Sequence, residues 1–156
     1  MSLITLSITE YDSNDTPDHA NYRAELSYDG RVIGELSNTN DGQPAFSQAQ
    51  QARDADITGA LAWVQGQPDA TPMDTLPTYA DKLARKEIRR KSAITAMRKR
   101  LKRHTLFATP EAQILRITQV YSERIRAQIQ KNYPGSVILN TLSEDEAFRH
   151  YHPNEV

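Results

Sequence analysis

The chain concentrates more than half of its positive charge in one short segment. Residues 82–103 hold eleven lysines and arginines and one acid, Glu87, in a protein of 156 residues with a formal net charge of −1. Residues 1–81 carry thirteen acids and three bases, whereas residues 105–156 carry five bases and six acids. Because like charges at this density repel one another, the segment must face a polyanion or fold onto the acidic half.

The overall composition limits the class of protein. A hydrophobic content of 38% and a mean hydropathy of −0.68 indicate a modest core and much exposed helix. No apolar run approaches the ~20 residues that cross a bilayer, and the first residues lack the pattern of a signal peptide. The absence of cysteine excludes disulfides, thiolate zinc sites and cysteine nucleophiles. We expect a cytoplasmic protein with no membrane partner and no cofactor.

The first third of the sequence has the pattern of an antiparallel sheet followed by a helix. Alternating apolar residues predict three strands, at 3–8, 22–28 and 31–36. Asp29-Gly30 predicts a tight turn between the last two strands, and the imperfect alternation of the third leaves room for a bulge. A helix is then predicted over about 46–65, although Gly59 weakens it and Asp56 could start a second short helix instead.

The basic segment itself is predicted to be one long helix. It begins near Thr78, after the proline-rich connector at 67–77, and runs to about His104. At 1.5 Å per residue such a helix is about 40 Å long. Its narrow apolar stripe, which excludes Ile88, consists of Tyr79, Leu83, Ile94, Met97 and Leu101. We expect part of the helix to project or to pair with another surface, and a homodimer through it is one such arrangement.

The last third predicts a smaller β-hairpin–helix–strand unit. The hairpin covers 105–109 and 113–118, the helix begins after the N-cap Ser122 and ends at Pro134-Gly135, and a short strand covers 137–139. The tail is expected to hold one helical turn. The predicted class is therefore α+β, divided into an N-terminal antiparallel sheet with a packed helix (1–66), a connector (67–77), the long basic helix with the β-hairpin–helix–strand unit (78–142) and a tail (143–156).

Several short motifs occur together and in order. They are Tyr28-Asp29-Gly30-Arg31, Ser37-Asn38-Thr39-Asn40-Asp41-Gly42, a lysine-rich helix that runs into Thr105-Leu106-Phe107, and Lys131-Asn132-Tyr133-Pro134-Gly135 before Ile138-Leu139-Asn140. In this order the chain resembles a family of small uncharacterised proteins from bacteria and their phages. It departs from that pattern at Gly42-Gln43-Pro44, where the family continues glycine-rich. The resemblance implies the fold, a mobile-element setting and the cytoplasm of a host cell, but no activity.

The basic helix is the leading candidate for a binding surface. Several cations along one element can each neutralise a phosphate and release its counterions. The segment lacks Asn or Gln to read adenine and aromatic residues to stack on single strands, so base-specific reading is not expected. An acidic protein surface is a second possible ligand. A solvated helix that the acidic half neutralises is the alternative without a ligand. The residues expected to contact nucleic acid, or a host nucleic-acid-handling or defence complex, are Lys86, Arg89, Arg90, Arg98, Lys99 and Lys102.

Two other functions remain open from the sequence. The acidic N-terminal half could be the contact surface of a protein–protein inhibitor. A small hydrolase would need carboxylates or a histidine, for which the candidates are Asp54, Asp56, Glu144, Asp145, Glu146 and His104. The motifs of common hydrolases and of phosphate-binding glycine loops are absent, so we favour a non-enzymatic protein. His150 and His152 with Glu155 have the chemistry of metal ligands, but their place near a terminus argues against a metal site.

Overall fold

The chain has the α+β class that its sequence predicts, with one antiparallel sheet of four strands and another of three. The computed structural model describes residues 3–13, 16–39 and 42–151. The chain divides into two compact units, Met1–Arg89 and Arg90–Val156. This division falls inside the long helix, which begins near the end of the predicted connector at 67–77.

The sheet of the first unit follows the order of the chain. Its strands are β1 (Ile4–Tyr11), β2 (Tyr22–Tyr28), β3 (Arg31–Asn38) and β4 (Ala45–Gln48). Asp29 and Gly30 join β2 to β3 with φ of 48° and 75°, as a type I′ turn requires, so the predicted turn is confirmed. Between Leu26 and Ser27 the pairing on β3 advances by two residues, which makes Ile33 the extra residue of a bulge.

Residues 45–48 form a strand where the sequence predicted the start of a helix. The helix α1 spans Asp54–Gln65, so the prediction was wrong before Asp54, and the alternative of a shorter helix is the better one. The physical reason is the free edge of β3, which offers backbone partners to β4. The ring of Phe46 also lies against Gly34, where an added Cβ would come within 2.5 Å of the ring.

One face of this sheet carries the core of the first unit. Alternate residues of β2, namely Tyr22, Ala24 and Leu26, are at most 2% exposed, and α1 adds Ala60 and Val64. The long helix α2 (Leu76–Arg103) contributes Leu76, Tyr79, Ala80, Ala84 and Ile88. The predicted stripe was therefore wrong to exclude Ile88. The buried residues Ala80, Ala84 and Ile88 are spaced by four, and each such step turns about 40° around the helix. A straight stripe along the helix therefore misses Ile88.

The second unit has apolar residues packed against both faces of its sheet. Strand β5 (Thr105–Ala108) lies between β6 (Ile114–Ile117) and β7 (Val137–Ile138). Leu106 and Ala108 pack with Ile94 and Met97 of α2 and with α4 (Glu144–Tyr151). Phe107, which alternates with them, packs with Ile125 and Ile129 of α3 (Glu123–Asn132).

The predicted hairpin and helix of this unit are confirmed. Its tail forms a longer helix than the single turn that was predicted. Ser122 caps α3 by accepting a hydrogen bond from the Ile125 N–H at 3.4 Å. A short 3-10 helix at Leu139–Thr141 replaces the end of the predicted last strand. The eight residues of α4 then place Ala147 and Phe148, at 1% and 2% exposure, in the core. The tail therefore completes the second unit, because its apolar pair covers the sheet.

Candidate polyanion-binding surface

Ion pairs within the chain engage many of the cations of the basic segment. In the described part of the chain, five of them lie within 4 Å of a carboxylate: Lys82–Asp74 (2.7 Å), Arg85–Asp81 (3.3 Å), Arg89–Asp18 (2.9 Å), Arg90–Asp145 (3.3 Å) and Arg98–Glu144 (2.5 Å). The first three acids belong to the acidic half of the sequence and the last two to α4. Part of the basic segment thus folds onto acids, as the alternative without a ligand requires.

Three of the six predicted contact residues are among those paired cations. Arg89, Arg90 and Arg98 bind carboxylates, and the Arg90 guanidinium also lies 5.7 Å from the centroid of the Phe148 ring. The Arg98 and Glu144 side chains are 55% and 44% exposed. Exposed pairs of this kind contribute only about 0–1 kcal/mol. A phosphate group that binds Arg98 must first displace this carboxylate.

Six cations of α2 have no carboxylate within 4 Å in the described chain, and four of them lie on one side of the helix. Lys91, Lys99, Lys102 and Arg103 make no ion pair with any residue that the structure describes. At about 100° per residue, all four fall within about 120° of the helix circumference, with Thr95 among them. From Lys91 to Arg103 they extend over about 18 Å. We call these four residues the basic row.

The basic row overlaps only partly with the residues predicted from sequence. Lys99 and Lys102 were predicted, whereas Lys91 and Arg103 were not. Lys86, the remaining predicted residue, is exposed and unpaired within the described chain, but it belongs to the first unit. Helical spacing places Arg90 and Lys91 on different sides of α2, but it does not reveal the α4 carboxylate that pairs with Arg90.

The charge segregation of the sequence persists in the folded units. Residues 1–89 carry seven bases and fourteen acids, for −7, and residues 90–156 carry twelve bases and six acids, for +6. The second unit is therefore strongly basic for its size, and the basic row lies within it. A net positive unit of this kind attracts polyanions over distances that salt shortens.

A partly buried polar cluster in the first unit is centred on Asp81. Its carboxylate accepts hydrogen bonds from the Tyr22 hydroxyl at 2.5 Å, from the Asn38 amide at 3.1 Å and from Arg85 Nε at 3.3 Å. Burial, together with the bond to Asp81, raises the pKa of Tyr22 far above its usual range. Lys82 and Arg85 border a cavity of about 450 Å³ beside this cluster. Both cations already pair with aspartates. The hydrogen bonds that Asp81 accepts from Tyr22 and Asn38 tie α2 to β2 and β3.

The residues considered for a hydrolase take part in local structure. Asp56, 9% exposed, pairs with Arg31 and Arg53, and Asp54 is exposed at the start of α1. Glu144 and Asp145 of α4 pair with arginines of α2, and Glu146 accepts a hydrogen bond from Ser143. His104 is half-buried just after the end of α2. Among the residues the structure describes, no three histidines or carboxylates are grouped to hold a metal ion. His152 and Glu155 lie outside the described residues.

Comparisons of the whole chain do not add a relative from which function could be transferred. Searches against known protein families, curated proteins and solved structures found no match. Within the described ranges, no helix is long and apolar enough to cross a membrane. The function is therefore inferred from the chemistry of the surface itself.

Proposed function

We propose that the second unit binds the phosphate backbone of double-stranded nucleic acid through the basic row, as a non-enzymatic accessory protein. The observation that carries this proposal is the basic row itself, four cations on one side of α2 without a carboxylate partner in the described chain. Their target is nucleic acid alone or within a host complex that handles it. The resemblance to proteins of bacteria and their phages supports a mobile-element setting.

The expected mode of binding is backbone contact without base reading. The helix offers lysines and arginines, and the segment 82–103 has no aromatic residue, Asn or Gln. Each neutralised phosphate contributes about −0.9 to the slope of log affinity against log salt concentration. Four contacts predict a slope of about −3.6 on duplex nucleic acid.

The test is fluorescence anisotropy with a labelled duplex of about 20 base pairs, titrated at about 50 mM salt and upward. Lys99→Glu with Lys102→Glu reverses two charges of the row and is expected to abolish binding at that salt. The matched control reverses Arg124 and Lys131, two exposed cations of α3 in the same unit, and is expected to retain most of the affinity. No binding by the native protein, or equal losses in both variants, would contradict the proposal.

A second candidate function is a protein–protein inhibitor that contacts a basic partner through the first unit. Glu25 and Glu35 lie directly opposite each other on β2 and β3, are exposed, and have no ion pair within the described chain. Like charges in this position destabilise a sheet, so a basic partner would relieve their repulsion. This candidate predicts capture of a protein from nuclease-treated host lysate that Glu25→Lys with Glu35→Lys abolishes. Capture that the double variant leaves unchanged would count against it.

A further inference from the structure

The first turn of α4 lies against cations of α2 that adjoin the basic row. Within the second unit, Glu144 accepts a hydrogen bond from Arg98 Nε at 2.7 Å, and Asp145 accepts one from Arg90 at 3.3 Å. Arg100 donates to the Tyr151 hydroxyl. Because Ala147 and Phe148 anchor α4 in the core, these acids are held beside α2 whenever the second unit is folded.

Arg98 and Arg90 differ in their position around the helix. At about 100° per residue, Arg98 lies about 20° from Lys91 and about 40° from Lys102, so it is aligned with the basic row. Arg90 lies about 100° away from Lys91 by the same measure. Arg98 therefore has the position of a fifth row member, and the Glu144 carboxylate is what separates it from the other four.

We propose that Glu144 is an internal competitor for the polyanion, and that Arg98 is a latent fifth contact of the basic row. The proposal rests on the proposed function and identifies a residue that sets its strength. A phosphate that approaches the row competes with the Glu144 carboxylate for the Arg98 guanidinium. In the native protein the polyanion gains little affinity from Arg98, because its phosphate must displace the Glu144 carboxylate from the guanidinium.

Removal of the Glu144 charge is expected to add one phosphate contact. Glu144→Gln keeps the shape of the side chain and is expected to steepen the salt slope by about 0.9. At about 0.1 M salt one extra contact corresponds to a gain in affinity of roughly five- to ten-fold. Asp145→Asn changes the net charge equally, one residue further along α4, but it releases Arg90, which is not aligned with the row. It is the matched control, and its expected change is about two-fold or less, from screened long-range attraction alone.

The decisive experiment compares four full-length proteins by anisotropy on the same duplex: native, Glu144→Gln, Asp145→Asn and the double variant Arg98→Gln with Glu144→Gln. The double variant has the native net charge and is expected to return to the native affinity and slope. Glu144 is an exposed residue whose described contact is with Arg98, so Glu144→Gln is expected to fold, which circular dichroism checks.

The outcomes separate this inference from the proposed function. A gain in affinity in Glu144→Gln but not in Asp145→Asn, cancelled in the double variant, supports the proposal that Glu144 competes for Arg98. Equal gains in Glu144→Gln and Asp145→Asn would reduce the effect to net charge and overturn the inference, while binding through the row would stand. A gain that persists in the double variant would equally overturn it. No binding by any of the four proteins would overturn both proposals.

Discussion

At the scale of single residues, Asn140 shows how one side chain secures the end of the long helix. Its amide nitrogen donates to the carbonyls of Leu101 and His104 at 3.0 and 2.9 Å, where a helix end leaves carbonyls without partners. Its Oδ1 accepts the Leu106 N–H at 2.8 Å. This acceptor assigns the amide orientation, because a backbone N–H can only donate. Asn140 thereby joins α2, β5 and the 3-10 helix.

Asn140→Ala is expected to destabilise the protein by about 2–4 kcal/mol, because it removes three hydrogen bonds and leaves a buried N–H unpaired. Urea unfolding followed by circular dichroism measures this loss. Asn132→Ala is the control, since Asn132 is exposed at the end of α3, and its expected change is within about 0.5 kcal/mol. Similar losses in the two variants would refute the role assigned to Asn140.

At the scale of elements, α4 differs most from what the sequence suggested. Ser143 and Glu146 form a capping box: Glu146 Oε2 accepts the Ser143 N–H at 3.1 Å and its hydroxyl at 2.6 Å, and the Ser143 oxygen accepts the Glu146 N–H at 3.4 Å. The Ser-x-x-Glu signal is present in the sequence before the apolar pair Ala147-Phe148. That signal marks a helix start, but the core that makes the helix stable is visible only in the fold.

The capping box predicts a pH-dependent stability. The Ser143 hydroxyl and N–H hold the pKa of Glu146 below its usual range. A carboxyl with a lowered folded pKa stabilises the fold above its unfolded pKa, and the contribution is lost as the pH falls through the folded pKa. Glu146→Gln should therefore lower the melting temperature at neutral pH, and the deficit should shrink toward pH values below the usual range of a glutamate. Glu111→Gln, in the β5–β6 turn, is the control; a deficit that does not change with pH would argue against this assignment.

At the scale of the whole molecule, opposite charges are distributed over two compact units. The first unit has a net charge of −7 and the second +6, so the overall charge of −1 describes neither. Ion pairs neutralise part of each unit from within, as between Lys82 and Asp74 or between Arg98 and Glu144. Attraction to a partner therefore depends on which unit it meets.

This distribution predicts an unusual chromatographic behaviour. At neutral pH and low salt, the protein is expected to be retained on both a cation exchanger and an anion exchanger, since each matrix meets a unit of opposite sign. Lys99→Glu with Lys102→Glu should reduce retention on the cation exchanger and leave retention on the anion exchanger unchanged or increased. Retention on the anion exchanger alone would mean that the charges of the row are masked in the folded protein.

The sequence predicted those elements whose own residues decide their structure. Alternation at Tyr22, Ala24 and Leu26 predicts a strand with one buried face, and the Asp29-Gly30 turn follows from backbone conformations that these residues tolerate. The long helix was predicted because apolar residues recur along it at helical spacing. Strand β4 was missed because its partner is the edge of β3, which residues 45–48 do not reveal. Ile88 was placed outside the stripe because the packing row winds around α2.

The sequence by itself determined the α+β class, the basic helix and the segregation of charge, because local periodicity, turn chemistry and counting are sufficient for these. Only the tertiary structure decided which cations of that helix are available. Lys91 and Arg90 are neighbours in the chain, yet Arg90 meets a carboxylate of α4 and Lys91 meets none among the described residues. The physical reason is that an ion pair depends on distances of a few ångströms between segments far apart in sequence.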